Sequence, residues 1–259
     1  MTKESMSTNP EIWAGIECTI NRVGDVYFEQ LGRNGHAYRI EDLDRIANLG
    51  IRTVRYPVLW EAIAPEGIDK ARWTWVDERL GKLRELGIRP IVGLCHHGSG
   101  PRHTNLLETS FVEGLEEFAR AVAERYPWID AYTPVNEPLT TARFGALYGF
   151  WYPHHRSMAS FLCALVTQCL ATVRAMRAIR AIQPAAILVQ TEDFGQTKST
   201  PALAYQAEHE NHRRCLGIDL LLGFVDARHP LYDLIVQHGV NEETLAYFRE
   251  HSCAPDMLG

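Results

Sequence analysis

The chain contains no CxxC pair, zinc-ribbon spacing or HExxH element, and no G-x-G-x-x-G loop follows its first apolar segment, where Gly15-Ile16-Glu17 stands instead. Metal-centred and dinucleotide-dependent chemistry need those ligand and phosphate-cradling patterns, so neither metal nor cofactor is expected. Basic charge is also short. With 26 Lys and Arg against 32 Asp and Glu, the formal net charge is -6, which leaves no positive field for nucleic acid or an anionic membrane. The polar opening Met1 to Pro10 has no apolar signal-type core, and no later run reads as long and uncharged enough to cross a bilayer. A cytoplasmic protein with no nucleic-acid or membrane partner is the expectation. Cys18, Cys95, Cys163, Cys169, Cys215 and Cys253 are scattered, several in apolar segments, and read as reduced core residues.

What is present suffices for one large core. The 259 residues are 46% hydrophobic, which fits a polar segment over 1–11 followed by a single domain over 12–259. Two stretches repeat one another: Leu43-x-x-Ile46-x-x-Leu49-Gly50-Ile51-Arg52 and Leu80-x-x-Leu83-x-x-Leu86-Gly87-Ile88-Arg89. Each combines a helical apolar face, a glycine suited to a left-handed helix end, and a β-rich run, so each is a helix feeding a strand. The runs that follow, Arg52 to Trp60 and Arg89 to His96, are too apolar for a one-sided sheet and fit buried parallel strands.

The same reading predicts a first strand over Ile12–Thr19, a helix near Arg39–Leu49 and a helix near Phe111–Tyr126. It continues with a strand from Tyr132, a long helix over about Ser160–Ile182, a fifth strand over Ala186–Asp193 and helices between Ala202 and Phe248. Regular alternation of this kind belongs to a (β/α)8 barrel, with a doubly wound sheet as runner-up. In a barrel, the polar residues at the strand ends converge on one face: Glu17, Arg55, Trp60, His96, His97, Asn136, Glu137, Glu192 and Asp193. Arg55 inside an apolar strand requires a nearby carboxylate or other acceptor. Glu137 precedes Pro138 and should sit where a strand runs out into a loop.

The ordered elements Trp13-Ala14-Gly15-Ile16-Glu17, Val54-Arg55-Tyr56-Pro57-Val58-Leu59-Trp60, Leu94-Cys95-His96-His97 and Val135-Asn136-Glu137-Pro138 resemble glycoside hydrolase family 1. Further matches run through Gly217 to Phe224 and His229 to Tyr232 as far as Pro255-Asp256-Met257-Leu258-Gly259. These are the β-glucosidase-type (β/α)8 enzymes. The resemblance implies a retaining β-glycosidase in which Glu137 is the acid/base, Asn136 bonds the sugar 2-hydroxyl, His96 holds the sugar, and Arg55 orients the nucleophile. It also places Glu17 and His97 in the substrate pocket. Glu17 stands where the family usually has glutamine, His97 where it has tryptophan, and Leu139 where tryptophan is frequent. Asn136 and Glu137 are adjacent, so the strand must bulge or twist for both to reach one sugar.

Pro255 to Gly259 matches the start of the sixth strand, and the family nucleophile lies on the seventh. About five βα units plus the start of strand 6 are therefore expected here, with the nucleophile missing from this chain. A C-terminal half-barrel or a fused sugar-nucleotide reductase domain is the implied partner besides a carbohydrate substrate. Glu192 and Asp193 read as pocket lining or a helix cap rather than a substitute nucleophile. The alternative is a catalytically inactive carbohydrate-binding or interaction module. A metal hydrolase using His96, His97, His103, His154 and His155 is weaker, because adjacent strand histidines diverge.

Overall fold

The protein is described from a computed structural model covering residues 10–259. Its elements run β1 (Trp13–Gly15), β2 (Ile20–Val23), β3 (Val26–Glu29), α1 (Gln30–Asn34), α2 (Asp42–Asn48), β4 (Thr53–Pro57), α3 (Trp60–Ile63), α4 (Thr74–Glu85) and β5 (Arg89–His96). They continue with α5 (Thr109–Arg125), β6 (Ala131–Asn136), α6 (Pro138–Ala142), α7 (Met158–Ile182), β7 (Ile187–Gln190), α8 (Ala204–Leu222), α9 (Tyr232–Gln237), α10 (Glu242–Glu250) and β8 (Met257–Leu258). Strand order in the main sheet is β1-β4-β5-β6-β7-β8, and every pairing in it is parallel. A doubly wound sheet reverses its order at a switch point; this one advances in one direction and curls into an incomplete barrel.

Both predicted glycine stops are used. Gly50 and Gly87 take φ of 81° and 65°, ending α2 and α4 in the left-handed region before β4 and β5 begin. Alternation then sorts the strand side chains. Val54, Tyr56, Val92, Leu94, Tyr132 and Leu188 join the large core beneath the helices. Ile91, Ala131 and Val189, one residue out of phase with that set, form a separate small cluster on the concave face.

Three expectations need correction. The predicted first strand is only β1, because the chain then turns into an antiparallel hairpin, β2–β3, paired from Ile20↔Glu29 to Val23↔Val26. The second predicted strand stops at Pro57, and Trp60 opens α3. Thirdly, α7 is long and apolar enough to cross a membrane by length and composition, with a mean hydropathy of 1.5 over its most apolar window. That window is 67% buried by the rest of the protein, so its apolarity is explained by burial on several sides. Among the cysteines, Cys18, Cys95, Cys169 and Cys253 are buried as expected, whereas Cys215 is exposed and Cys163 half-buried.

Candidate active site

Register builds the site. β4, β5 and β6 pair so that His96 lies opposite Asn136 at the C-terminal edge of the sheet. Arg55, on the concave side of β4, reaches both. Its Nη1 donates to Asn136 Oδ1 at 2.5 Å and to Thr191 Oγ1 at 3.2 Å, and its Nη2 lies 3.1 Å from His96 Nε2. The acceptor demanded by a half-buried guanidinium is thus an amide, a hydroxyl and an imidazole; among the described residues Arg55 makes no ion pair. A guanidinium only donates, so His96 Nε2 must be an acceptor and its proton must sit on Nδ1, 3.0 Å from Thr19 Oγ1. Burial pushes the His96 ring down to about 3, with the neighbouring His97 and Arg55 adding to the effect. The ring is neutral at any physiological pH.

β6 ends at Asn136, and Glu137 turns into the left-handed region at φ 45° and ψ 65°. The expected bulge is therefore a left-handed kink, which lets two adjacent residues serve one site. For a non-glycine residue this conformation is strained and persists only where the surroundings fix it. Two contacts do so: Glu137 N–H donates to Thr191 O at 3.2 Å, and Leu139 N–H donates to Glu192 Oε2 at 3.0 Å. Glu192 is 7% exposed and also accepts from Asp193 N–H. Burial raises its carboxyl to about 7, against the pull of those backbone donors. Both of its oxygens are engaged, so it caps the turn after Glu137. Asp193 faces Arg143 and Arg214 at 3.8 and 3.6 Å.

His97 also has a left-handed backbone, φ 55°, and its Nε2 lies 3.8 Å from Glu137 Oε2. Glu17 is exposed at the rim, and the one hydrogen bond found for it uses its backbone carbonyl, from Asn34. Trp60 is buried against Phe111 and Phe118, a packing residue away from the cluster. Arg55, His96, His97, Asn136 and Glu137 are thus brought together, and Trp60 is not. The residues missed from the sequence are threonines, Thr19, Thr141 and Thr191, whose hydroxyls orient the ring and amide groups. Thr191 was legible in principle, as a polar residue ending an apolar strand.

A further buried acid, Glu61 in α3, lies beneath the loop after β5. Its Oε1 accepts from Gly100 N–H at 3.0 Å and from Cys95 Sγ at 3.6 Å, while Oε2 has no partner. Burial raises this carboxyl to about 7. No motif pointed to it.

A one-directional parallel sheet with its polar network at the C-terminal strand ends defines the front portion of a (β/α)8 barrel of the enzyme type. The chain belongs to glycosyl hydrolase family 1, whose family model matches residues 20–216. Among curated relatives, it is 26% identical over 148 residues to beta-glucosidase A of Thermotoga maritima, a stretch covering 54% of this chain and 33% of that protein. It is 25% identical over 142 residues to a rice (Oryza sativa subsp. japonica) protein named probable inactive beta-glucosidase 14, covering 51% of this chain and 28% of the relative. The fold is similar to that of a Thermotoga maritima beta-glucosidase in complex with galacto-hydroximolactam, with a TM-score of 0.75 at 18% identity. That match covers 86% of this chain but 53% of the other. The chain thus spans about half the length of that solved structure, and its matched segments about a third or less of those curated relatives.

Proposed function

We propose that this chain supplies the acid/base half of a retaining β-glycosidase site, with Glu137 as proton donor to the glycosidic oxygen. The observation that carries this reading is the strained left-handed Glu137, held by Thr191 and Glu192 beside the Arg55–Asn136–His96 network. Asn136 and His96 contact sugar hydroxyls, Glu17 and His97 border the pocket, and Arg55 orients the nucleophilic carboxylate. A retaining mechanism needs two carboxyl groups roughly 5–5.5 Å apart. Glu192, at the end of the neighbouring strand, has both oxygens tied to backbone donors, so this reading takes the nucleophile from outside the described residues.

The test is hydrolysis of aryl β-glycosides by the chain alone and joined to a downstream family-type half-barrel, with Glu137→Gln as the comparison. Activity in the completed barrel that falls at least a hundredfold in the variant supports general-acid catalysis. No hydrolysis by the completed barrel, or an equally active variant, refutes it. A second reading, a carbohydrate-binding module without hydrolysis, is favoured by that capped Glu192, which leaves Glu137 without a carboxyl partner among the described residues. Saturable sugar binding by calorimetry, with no turnover in the completed barrel, would select it.

A further inference from the structure

We propose that His97 is a positioning residue for Glu137, an imidazole fixed in its neutral Nδ1–H form so that no ring N–H is aimed at the carboxyl. The inference rests on Glu137 being the proton donor. The chain of donors begins at Arg55, which cannot accept a hydrogen bond.

Arg55 Nη1 and Thr191 Oγ1 both point at one atom of Asn136, at 2.5 and 2.9 Å. That atom must be the amide oxygen, since an NH2 group there would set two donors against it. The other amide atom, Nδ2, is therefore a donor, and it lies 3.2 Å from His97 Nε2. His97 Nε2 must accept, which leaves the ring proton on Nδ1. There it meets Thr141 Oγ1 at 3.0 Å. One permanent cation thus sets both histidines, His96 directly and His97 through an amide. Adjacent residues end up in the same tautomer for the same reason.

The surroundings of His97 bear on its charge from every side. His96 packs edge-on at 4.9 Å and Trp151 lies at 5.5 Å between ring centroids, while Arg55, Glu17 and Glu137 are the charged groups facing it. Burial holds the ring below its ordinary titration range, and Arg55 adds to this. Glu137 and Glu17 oppose it. His97 Nε2 lies 3.8 Å from Glu137 Oε2. A proton on Nε2 would create an imidazolium near Arg55 and a donor facing the Asn136 NH2, so the single Nε2 lone pair stays committed to Asn136 and the ring does not take a proton from the carboxyl. His97 neither gains nor loses a proton when Glu137 acts.

Nitrogen-15 NMR of ring-labelled histidine in the intact chain tests this without any substrate. The expected result is that, at neutral pH, His97 shows a protonated Nδ1 and an unprotonated Nε2. Asn136→Asp replaces the donor with an acceptor, and both His97 nitrogens should then be protonated at the same pH. Thr141→Val keeps the Asn136 donor, serves if Asn136→Asp does not fold, and should leave Nε2 unprotonated. A ring protonated on Nε2 at neutral pH, in the wild type or in Thr141→Val, overturns the proposal. Loss of hydrolysis in the completed barrel while the His97 spectrum stands would instead count against the glycosidase reading.

Discussion

The two ends of the parallel sheet both carry charged residues, but they satisfy them differently. Where the strands begin, charge meets countercharge in partial solvent: Arg89 pairs with Asp130 at 2.9 Å and Arg180 with Asp256 at 3.0 Å. Where they finish, Arg55 meets dipoles in a half-dry network of Asn136, Thr191 and His96. Solvated ion pairs are interchangeable, and contribute little because water competes for both partners. A chain of directed donors and acceptors is not interchangeable. Removing one link strands the others without water to replace it. The first arrangement is suited to stability and the second to holding atoms at fixed positions, and substitutions at matched places in the two ends should separate them.

The sharpest contrast is between loop glycines. Gly50, in the loop entering β4, has φ 81° and open space where a Cβ would go; Gly100, in the loop leaving β5, has φ 74°, and a Cβ would lie 2.3 Å from Thr104 Oγ1 and 2.7 Å from the Trp60 ring. Gly100→Ala combines backbone strain with overpacking and should cost about 3–4 kcal/mol, against about 1 kcal/mol for Gly50→Ala. Urea denaturation compares them directly. Equal midpoints would mean that the end bearing the candidate site is no more tightly built than the other.

Next comes Arg55→Met. It removes one of the two donors to Asn136 Oδ1, which keeps Thr191 Oγ1, and leaves His96 Nε2 without a partner; the lost charge-assisted bonds and that unsatisfied acceptor predict a loss of about 3 kcal/mol by the same denaturation. A loss under about 1 kcal/mol would mean that His96 Nε2 finds another partner.

The acids at the two ends should respond oppositely to pH. Glu11, beside β1, is held below its ordinary value chiefly by the Thr53 hydroxyl, so whatever it contributes is present at neutral pH and lost on acidification. Glu61 is raised from 4.5 to about 7 by burial. Between those values the folded state holds a proton that the unfolded state has released, so its contribution is complete below pH 4.5 and declines as pH rises to about 7. The decline should be on the order of 3 kcal/mol, and Glu192 adds its own over the same window. Glu61→Gln should therefore flatten part of the fall in stability between pH 4.5 and about 7, followed by thermal or urea unfolding. An unchanged pH profile would show that Glu61 stays ionised in the fold.

The barrel order was legible because its signals are local and repeated: helix periodicity, a glycine stop, then an apolar run, as at Gly50 and Gly87. Glu137 was legible for the same kind of reason, a carboxyl placed by a following proline. The β2–β3 hairpin also had a local signal, the two-residue Gly24-Asp25 turn between β-forming arms, but it was hidden behind the longer first strand expected over Ile12–Thr19. Thr19, Thr141 and Glu61 were illegible on different grounds. Their roles depend on which strand or loop lies opposite, and register between distant segments leaves no mark on either segment alone. The long apolar α7 shows the limit of composition: a helix buried from several sides and one surrounded by lipid present the same sequence.

The smallest expected effect is the control for the whole comparison. Arg89 begins β5 and Asp130 precedes β6, and their side chains are 40% and 48% exposed. Arg89→Met leaves Asp130 in contact with water, so stability should fall by about 1 kcal/mol or less. What remains of the pair's contribution should shrink as salt is raised toward 1 M, because the screening length there is only about 3 Å. Arg55→Met should show no such salt dependence, since its partners are dipoles rather than ions. If Arg89→Met proved as costly as Arg55→Met, or both losses faded together in salt, the two ends would be held by the same physics.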